Sequence, residues 1–473
     1  MIHPLRLIRH RPAHAGNGNG RFVLYWMQQS QRTVDNHALA YGAQLANRAG
    51  LPLLVAFVLT DDYPQANLRH YRFLAEGLQD LSGALTRWGA SFLVLSGTPP
   101  GALAPLLPLA GALVMDAGVL RHQRLWREEL LRQAAGLMTG EITEVDTDLV
   151  VPVRVASGKL EYGARTLRPK IHRQMEEFLQ DALLEDLGRP DPDLGRKLAA
   201  ELGLDIRDSG SVDGLLEGLH PDPSVGPVRR FVGGQTQGAS RLERFLDDRL
   251  DGYADRNVPG ASRGSELSPY LHFGQLSPVT VIRALRSRRG DRPAGPDGEA
   301  FLEQLVVRRE LAFNFVFYNT GYDRFEEMTT SWAYRTMEEH RNDLRQVQYT
   351  LEELEGARTH DPYWNAAMEE MRRTGFMHAY MRMYWGKKIM EWSPDLPRAW
   401  RWMLHLNNKY FLDGRDPNSY CSVAWCFGRH DRAWKERPVF GKLRYMNARG
   451  LERKFDMDRY VQDVERLGLA EQD

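Results

Sequence analysis

Cysteine is nearly missing: Cys421 and Cys426 are the only two in 473 residues. Two thiols at C-x4-C spacing build neither a disulfide framework nor a four-ligand zinc site. Packing is the expected role of both, and no metal is expected. No apolar run approaches the ~20 residues that a membrane span requires. The N-terminal residues are basic but lack a continuous apolar stretch and a cleavage site, so a signal peptide is not expected and a reducing, cytoplasmic setting is. HExxH, G-x-S-x-G, the kinase signatures and the Walker A loop are all missing. Net charge is missing too, with 62 Lys plus Arg against 62 Asp plus Glu. Such a balance argues against a nucleic-acid partner only if it holds locally, because phosphate binding needs local positive charge.

It does not hold locally. Residues 371–460 carry 19 Lys/Arg against 9 Asp/Glu, a net of +10, whereas residues 176–222 carry 13 acidic against 4 basic side chains, a net of −9. Tryptophan is skewed the same way: 8 of 11 lie beyond residue 330. The basic excess and the aromatic excess therefore coincide.

A chain of 473 residues, 42% hydrophobic and 26% charged, fits two or three globular domains. Short apolar runs at 22–27, 53–59, 91–95, 112–116 and 142–146 alternate with helix-length segments at 33–49, 68–88 and 120–135. This alternation predicts a Rossmann-like parallel sheet with ligand sites at its carboxyl edge. The glycine-rich run Gly16–Gly20 precedes the first strand, where it cannot cradle a phosphate. Beyond residue 241 the pattern is helical, with candidates at 301–317, 362–374, 379–392 and 397–410. The expected fold class is α/β plus all-α. The expected division is a flexible N-terminus (1–20), an α/β domain (21–150), a linker with the acidic segment (151–240) and a helical domain (241–473).

Four segments bear chemistry. Ser265 and Ser268 stand at a helix start that suits either a pyrophosphate or ordinary serine capping. Trp385 and Trp392 share one helical face about 10 Å apart, with Arg382 a turn earlier. That stripe, with Trp364, reads as an electron relay or as an aromatic core. The dense turn at 406–418 allows Asp413 to pair with Arg382 and Asn407 to meet a ring nitrogen, or it is purely structural. The interleaved basic and aromatic residues from Arg429 to Lys454 favour phosphate contact with base stacking.

Together these segments resemble the photolyase and cryptochrome superfamily, in particular the class II cyclobutane pyrimidine dimer photolyases. The likeness is carried by YWMQQSQR from Tyr25, Asp35-Asn36, PKIH from Pro169, SELSPYLHFGQ from Ser265, FLEQLVVRREL from Phe301 and RPVFGKLRYM from Arg437. The resemblance implies an N-terminal antenna domain and a C-terminal helical FAD-binding domain that repairs UV-damaged DNA with light, as a monomer without an obligate protein partner. It implies FAD contacts at Tyr253, Ser265, Leu267, Ser268 and Arg309. Arg382 with Asp413 is then the ion pair beside the isoalloxazine, and Asn407 the amide near its N5. Trp385, Trp364 and Trp392 become proximal, middle and distal relay stations. Gln304, Met383, Trp425, Arg432 and Trp434 would receive the flipped dimer or fill the gap in the duplex. An antenna chromophore, an 8-hydroxy-deazaflavin or a methenyltetrahydrofolate, is left open.

Three positions depart from the family pattern. Gln304 replaces a glutamate, Glu266 sets an acid beside the expected pyrophosphate, and the loop Trp425–His430 is one residue shorter and carries Arg429. The alternatives are a cryptochrome-like blue-light photoreceptor without repair activity, which a long C-terminal tail would favour, and repair of (6-4) photoproducts, which calls for a histidine pair at the lesion.

Overall fold

The computed structural model describes residues 2–12, 20–180, 182–260, 263–289 and 294–469. Among the described residues seven strands form one sheet: β1 (Leu7–Arg11), β2 (Phe22–Trp26), β3 (Leu53–Leu59), β4 (Ser91–Ser96), β5 (Ala110–Asp116), β6 (Glu141–Val145) and β7 (Ile206–Arg207). Their order is β1-β6-β5-β2-β3-β4-β7; the five central strands are parallel and the two edges antiparallel. β2 and β3 are buried at every position because helices cover both faces, which is why they read as unbroken apolar runs. α1 (His37–Ala49) and α2 (Leu68–Trp88) pack on one face through Leu39 and Leu78. α3 (Arg121–Leu137) packs on the other through Leu130. Asn36 caps α1 by accepting from the Leu39 amide, and Gly50 at φ 64° ends it in the left-handed conformation that glycine adopts without strain.

The strand order reverses between β2 and β5, where an open α/β sheet offers its crevice. Asp116 fills the anion nest there. Its Oδ2 accepts from the amides of Gln28 (3.0 Å), Gln29 (2.7 Å) and Ser30 (2.9 Å), and its Oδ1 accepts from the Tyr25 hydroxyl at 2.8 Å. A protein carboxylate thus occupies the backbone donors that a phosphate loop leaves free. Of the glycine-rich run before β2, residues 16–19 lie outside the described residues.

Two expected boundaries shift. Residues 1–20 were expected as a flexible lead-in, yet Leu7–Arg11 form β1, and the buried Arg6 guanidinium donates to the carbonyls of Asp146, Leu149, Val150 and Phe178. The edge position explains the miss, because outward-facing Arg9 and His10 hide the strand pattern. Residues 151–240 are likewise more than a linker. α4 (Ala164–Phe178) buries Leu167, Ile171 and Phe178 in the core that holds Leu242, Phe245 and Tyr270. α5 (Leu194–Leu202) lays Leu194 and Leu198 on the sheet, and β7 extends the sheet beside β4. Acidic side chains such as Glu177, Asp205 and Asp213 face outward, so composition masks a thin apolar stripe.

The helical region is built mainly from α6 (Ser268–His272), α7 (Arg309–Tyr318), α8 (Pro362–Thr374), α9 (Ala379–Trp392), α10 (Leu396–Tyr410) and α11 (Pro417–Cys426). Trp364, Trp385 and Trp392 are buried in its largest core. The helix expected at 301–317 is not continuous: a π-helical turn, Glu303–Arg308, precedes α7. Such turns re-aim side chains and recur at functional sites.

Candidate functional site

A cavity of about 430 Å³ opens among α6, the π-helical turn, α7, α9, α10 and α11. Its wall includes Tyr253, Ser265, Leu267, Ser268 and Arg309, then Arg382, Asn407, Asp413 and Trp385, and finally Gln304, Met383 and Trp425. Twelve of the sixteen residues singled out in the sequence therefore meet in one space, although they come from segments spread over 170 residues.

Each wall has a local cause. Arg382 stands on the first turn of α9, and its Nη1 donates to Asp413 Oδ1 at 3.1 Å and Oδ2 at 3.2 Å. Its Nε donates to the Met377 carbonyl, and the guanidinium lies 3.9 Å from the Phe411 ring centroid. The charge is thus fixed in direction by a carboxylate and an aromatic face. Asp413 sits in a turn that requires Gly414: a Cβ there would meet the carbonyl oxygens of Asn407 and Phe411 at 2.9 Å. Asn408 Oδ1 holds the same turn by accepting from the Arg415 amide and from Asn407 Nδ2, both at 2.9 Å. Asn407 is thereby oriented with its own Oδ1 still available.

Ser265 and Ser268 flank Glu266, whose backbone takes the left-handed φ of 57°. That twist sends the carboxylate away from the cavity. It accepts from Arg230 Nη2 at 2.5 Å, from Arg241 Nη1, and lies 3.1 Å from Arg249 Nη1. Burial pulls its pKa upward, but Arg230, Arg249 and Arg241 outweigh this and leave it below the usual carboxylate range. The acid expected to oppose a pyrophosphate instead braces the loop that carries both serines. Arg309 is committed as well: Nη1 donates to the Asp148 carbonyl at 2.7 Å, and the guanidinium stacks on Phe313.

The tryptophans form a buried row that begins at this wall. The buried indole N–H of Trp385 has no partner among the described residues. Trp364 donates its indole N–H to the Trp385 carbonyl at 3.0 Å, and its ring centroid lies 5.6 Å from that of Trp392. Trp392 in turn meets Tyr349 and His360, both at 5.4 Å. Asp361, the N-cap of α8, holds this arrangement by accepting from the Trp364 amide and from the Tyr384 hydroxyl.

Arg432 and Trp434 do not line the cavity. They form a cluster beyond it, in which the Arg432 and Arg444 guanidiniums lie 4.8 and 4.3 Å from the Trp434 ring and Arg444 also lies 5.2 Å from Trp425. Asp431 pins the cluster through Arg444 Nε at 3.1 Å and the Trp434 indole N–H at 3.3 Å. Sequence reasoning missed His272 and Asp416, which also line the cavity and meet at 3.1 Å. Burial raises the Asp416 pKa, but bonding to His272, its charge and that of Arg309 bring it below the usual range. Both residues lay inside stretches that drew attention, yet a pairing across 144 positions leaves no local signal. His430 also lines the cavity, and burial lowers its pKa to about 4.

A second, largely apolar cleft lies at the carboxyl edge of the sheet, lined by Trp26, Gln28, Gln31, Tyr63 and Gln123 and closed by Phe313 and Arg415 from the helical side. Gln28 Nε2 and Gln31 Oε1 have no partner among the described residues. Among the described residues no helix is long and apolar enough to cross a membrane.

The chain is similar to known proteins along most of its length. The sequence pattern of the DNA photolyase family fits residues 23–191. A deoxyribodipyrimidine photo-lyase of Methanothermobacter thermautotrophicus is 45% identical over 469 residues, 99% of each chain. That of Potorous tridactylus is 37% identical over 97% of this chain and 84% of its own. A cryptochrome of Synechocystis sp. PCC6803 shares the fold at a TM-score of 0.74, with 17% identity over 93% of this chain and 88% of that one. With relatives this similar along nearly its whole length, the chain belongs to the DNA photolyase family.

Proposed function

We propose that the protein is a light-driven lyase that splits cyclobutane pyrimidine dimers in UV-damaged DNA, with FAD in the large cavity. The observation that carries this reading is that one cavity gathers two sets of groups. A fixed Arg382–Asp413 pair, Asn407 and Trp385 stand with Gln304, Met383 and Trp425 around the same space. The wall fits a flavin: an ion pair and an oriented amide for the polar ring edge, Phe411 and Leu267 for its apolar part, and Ser265 with Ser268 for phosphates. When bound, FAD supplies the photochemistry, an electron lent to the dimer by its excited, fully reduced form and returned after the ring splits.

The chain's own groups provide the geometry. Arg382 presents positive charge held by Asp413, and Asn407 presents an amide held by Asn408. A base inside a duplex cannot reach an interior cavity, so the lesion is extruded, which costs least at a damaged pair. Gln304, as an amide, offers the extruded pyrimidines both a donor and an acceptor but no charge. Arg432 and Trp434, outside the cavity, suit the space left in the duplex by cationic contact and stacking. Trp392, Trp364 and Trp385 form a path for electrons through the buried core to the cavity wall. The cleft at the sheet edge suits an antenna chromophore, a deazaflavin or a folate, with Gln28 and Gln31 left free to bond it.

Expression in a bacterium lacking its own photolyase tests the reading. Survival after ultraviolet exposure rises under blue light and not in darkness. Equal survival in light and dark, with flavin-loaded protein present, would overturn repair and favour a photoreceptor.

A further inference from the structure

Residues 159–165 join the cavity mouth from a different part of the chain. Tyr162 is 59% exposed, a high value for a tyrosine whose backbone is fixed. Its carbonyl accepts from His430 Nδ1 at 2.7 Å, and His430 lines the cavity. Its hydroxyl reaches the carbonyl of Asp431, the residue that pins Arg444 and Trp434. The segment is anchored to α7 from beneath. Asn314 Oδ1 accepts from the Glu161 amide at 2.8 Å, Asn314 Nδ2 donates to the Lys159 carbonyl at 2.9 Å, and the Tyr318 hydroxyl donates to the Ser157 carbonyl at 2.6 Å. The exposed ring therefore stands on a rigid base.

The charges beside it are arranged unusually. Lys170 is paired with Glu161, and Arg168 with Glu303. Lys159 and Arg165 are exposed and make no ion pair among the described residues. Arg165 also sits in the first turn of α4, which has no acidic residue. A cation at that end opposes the helix dipole and does not help the helix form. Two unpaired cations three residues either side of an exposed aromatic ring match a nucleic-acid backbone with a base or sugar packed between phosphate contacts.

We propose that residues 159–165 are a second DNA contact, continuous with the Arg432–Trp434 cluster, in which Tyr162 is a stacking platform and Lys159 and Arg165 each hold a phosphate of the strand flanking the lesion. This rests on the repair reading above. The test is binding of the full-length holoprotein to a fluorescent duplex with one thymine dimer, measured by anisotropy from 0.05 to 0.3 M salt. Two phosphate contacts contribute about 1.8 to the log–log salt slope and about 30-fold in affinity near 0.15 M. The double variant Lys159→Gln/Arg165→Gln should lose both. Tyr162→Ala should bind roughly tenfold more weakly with an unchanged slope, and Tyr162→Phe should match the wild type. All three side chains are exposed and the anchors are untouched, so circular dichroism and flavin content stay at wild-type values. If the double variant keeps the wild-type slope and affinity, this proposal is wrong while the repair reading stands. A wild type that binds no dimer DNA overturns both.

Discussion

Replacing Glu266 with alanine sets two opposite expectations against each other. If the carboxylate faced the phosphates of a bound dinucleotide, its removal would tighten flavin binding. The structure turns it into a cage of Arg230, Arg241 and Arg249. Removing one partner of a buried charge cluster costs about 3–5 kcal/mol. Here Arg230 and Arg249 are 29% and 36% exposed, so water recovers part of the loss and about 2–3 kcal/mol is expected. For 473 residues the unfolding entropy is about 1 kcal/mol per degree, so the melting point should fall by about 2–3 °C. The loop bearing Ser265, Leu267 and Ser268 should loosen, and the purified protein should retain less flavin. Two controls follow from the chemistry. Glu266→Gln keeps hydrogen bonds without charge and should fall between. Glu266→Gly relaxes the left-handed backbone, which costs a side-chain-bearing residue about 1 kcal/mol, and should be more stable than Glu266→Ala. The pH dependence has a definite sign. The folded carboxyl titrates below its usual value, so its contribution is present above about pH 4.5 and is lost as pH falls through the folded pKa. Wild type and Glu266→Ala should therefore converge in acid. Tighter flavin binding together with a higher melting point in Glu266→Ala would refute the reasoning.

Trp385→Phe should slow photoreduction of the flavin, followed by transient absorption, and leave repair by pre-reduced protein largely intact; equal loss of both contradicts the relay. Glu310 is fully buried, and burial pushes its carboxyl up to about 8 although it accepts from the Val150 and Val151 amides. Its stabilising contribution is whole below about pH 4.5 and is lost as pH rises through 8, so Glu310→Gln should flatten the decline in urea midpoint between pH 5 and 8. An unchanged decline counts against a protonated Glu310. Burial pushes Lys387 down to about 8 while its Nζ donates to the Cys426 carbonyl at 2.5 Å. The unfolded lysine holds its proton to a higher pH, so the wild type should gain about 2 kcal/mol on Lys387→Met between pH 7.5 and 9.5. A pH-independent difference would show that Lys387 does not titrate there.

The central strands were legible because burial on both faces makes β2 and β3 wholly apolar and leaves apolar stretches in β4 and β5, with polar Ser91, Ser96 and Asp116 only at their ends. β1 and β7 were not, since an edge strand tolerates Arg9, His10 and Arg207 on its open side. Arg382 and Asp413 could be anticipated as a pair from their residue types, and they do meet. The orientation of Glu266 could not, because it depends on one left-handed φ and on three arginines from another helix and its flanks. Arg432 and Trp434 illustrate the reverse limit. Their chemistry was plain in the sequence, but their position outside the cavity wall is set by Asp431 and the packing of Arg444. Tyr162 drew no attention because an isolated tyrosine in a polar stretch looks ordinary until its exposure and its bond to His430 are known.

The proposed cavity brings a reduced flavin and an extruded dimer together. The most direct measurement illuminates the pre-reduced protein with an oligonucleotide containing one thymine dimer and counts the intact thymines restored. Restoration in blue light, none in darkness, and persistence of repair in Trp385→Phe are the predicted results. A flavin-loaded, fully reduced protein that binds the oligonucleotide and restores no thymines under illumination would contradict the account.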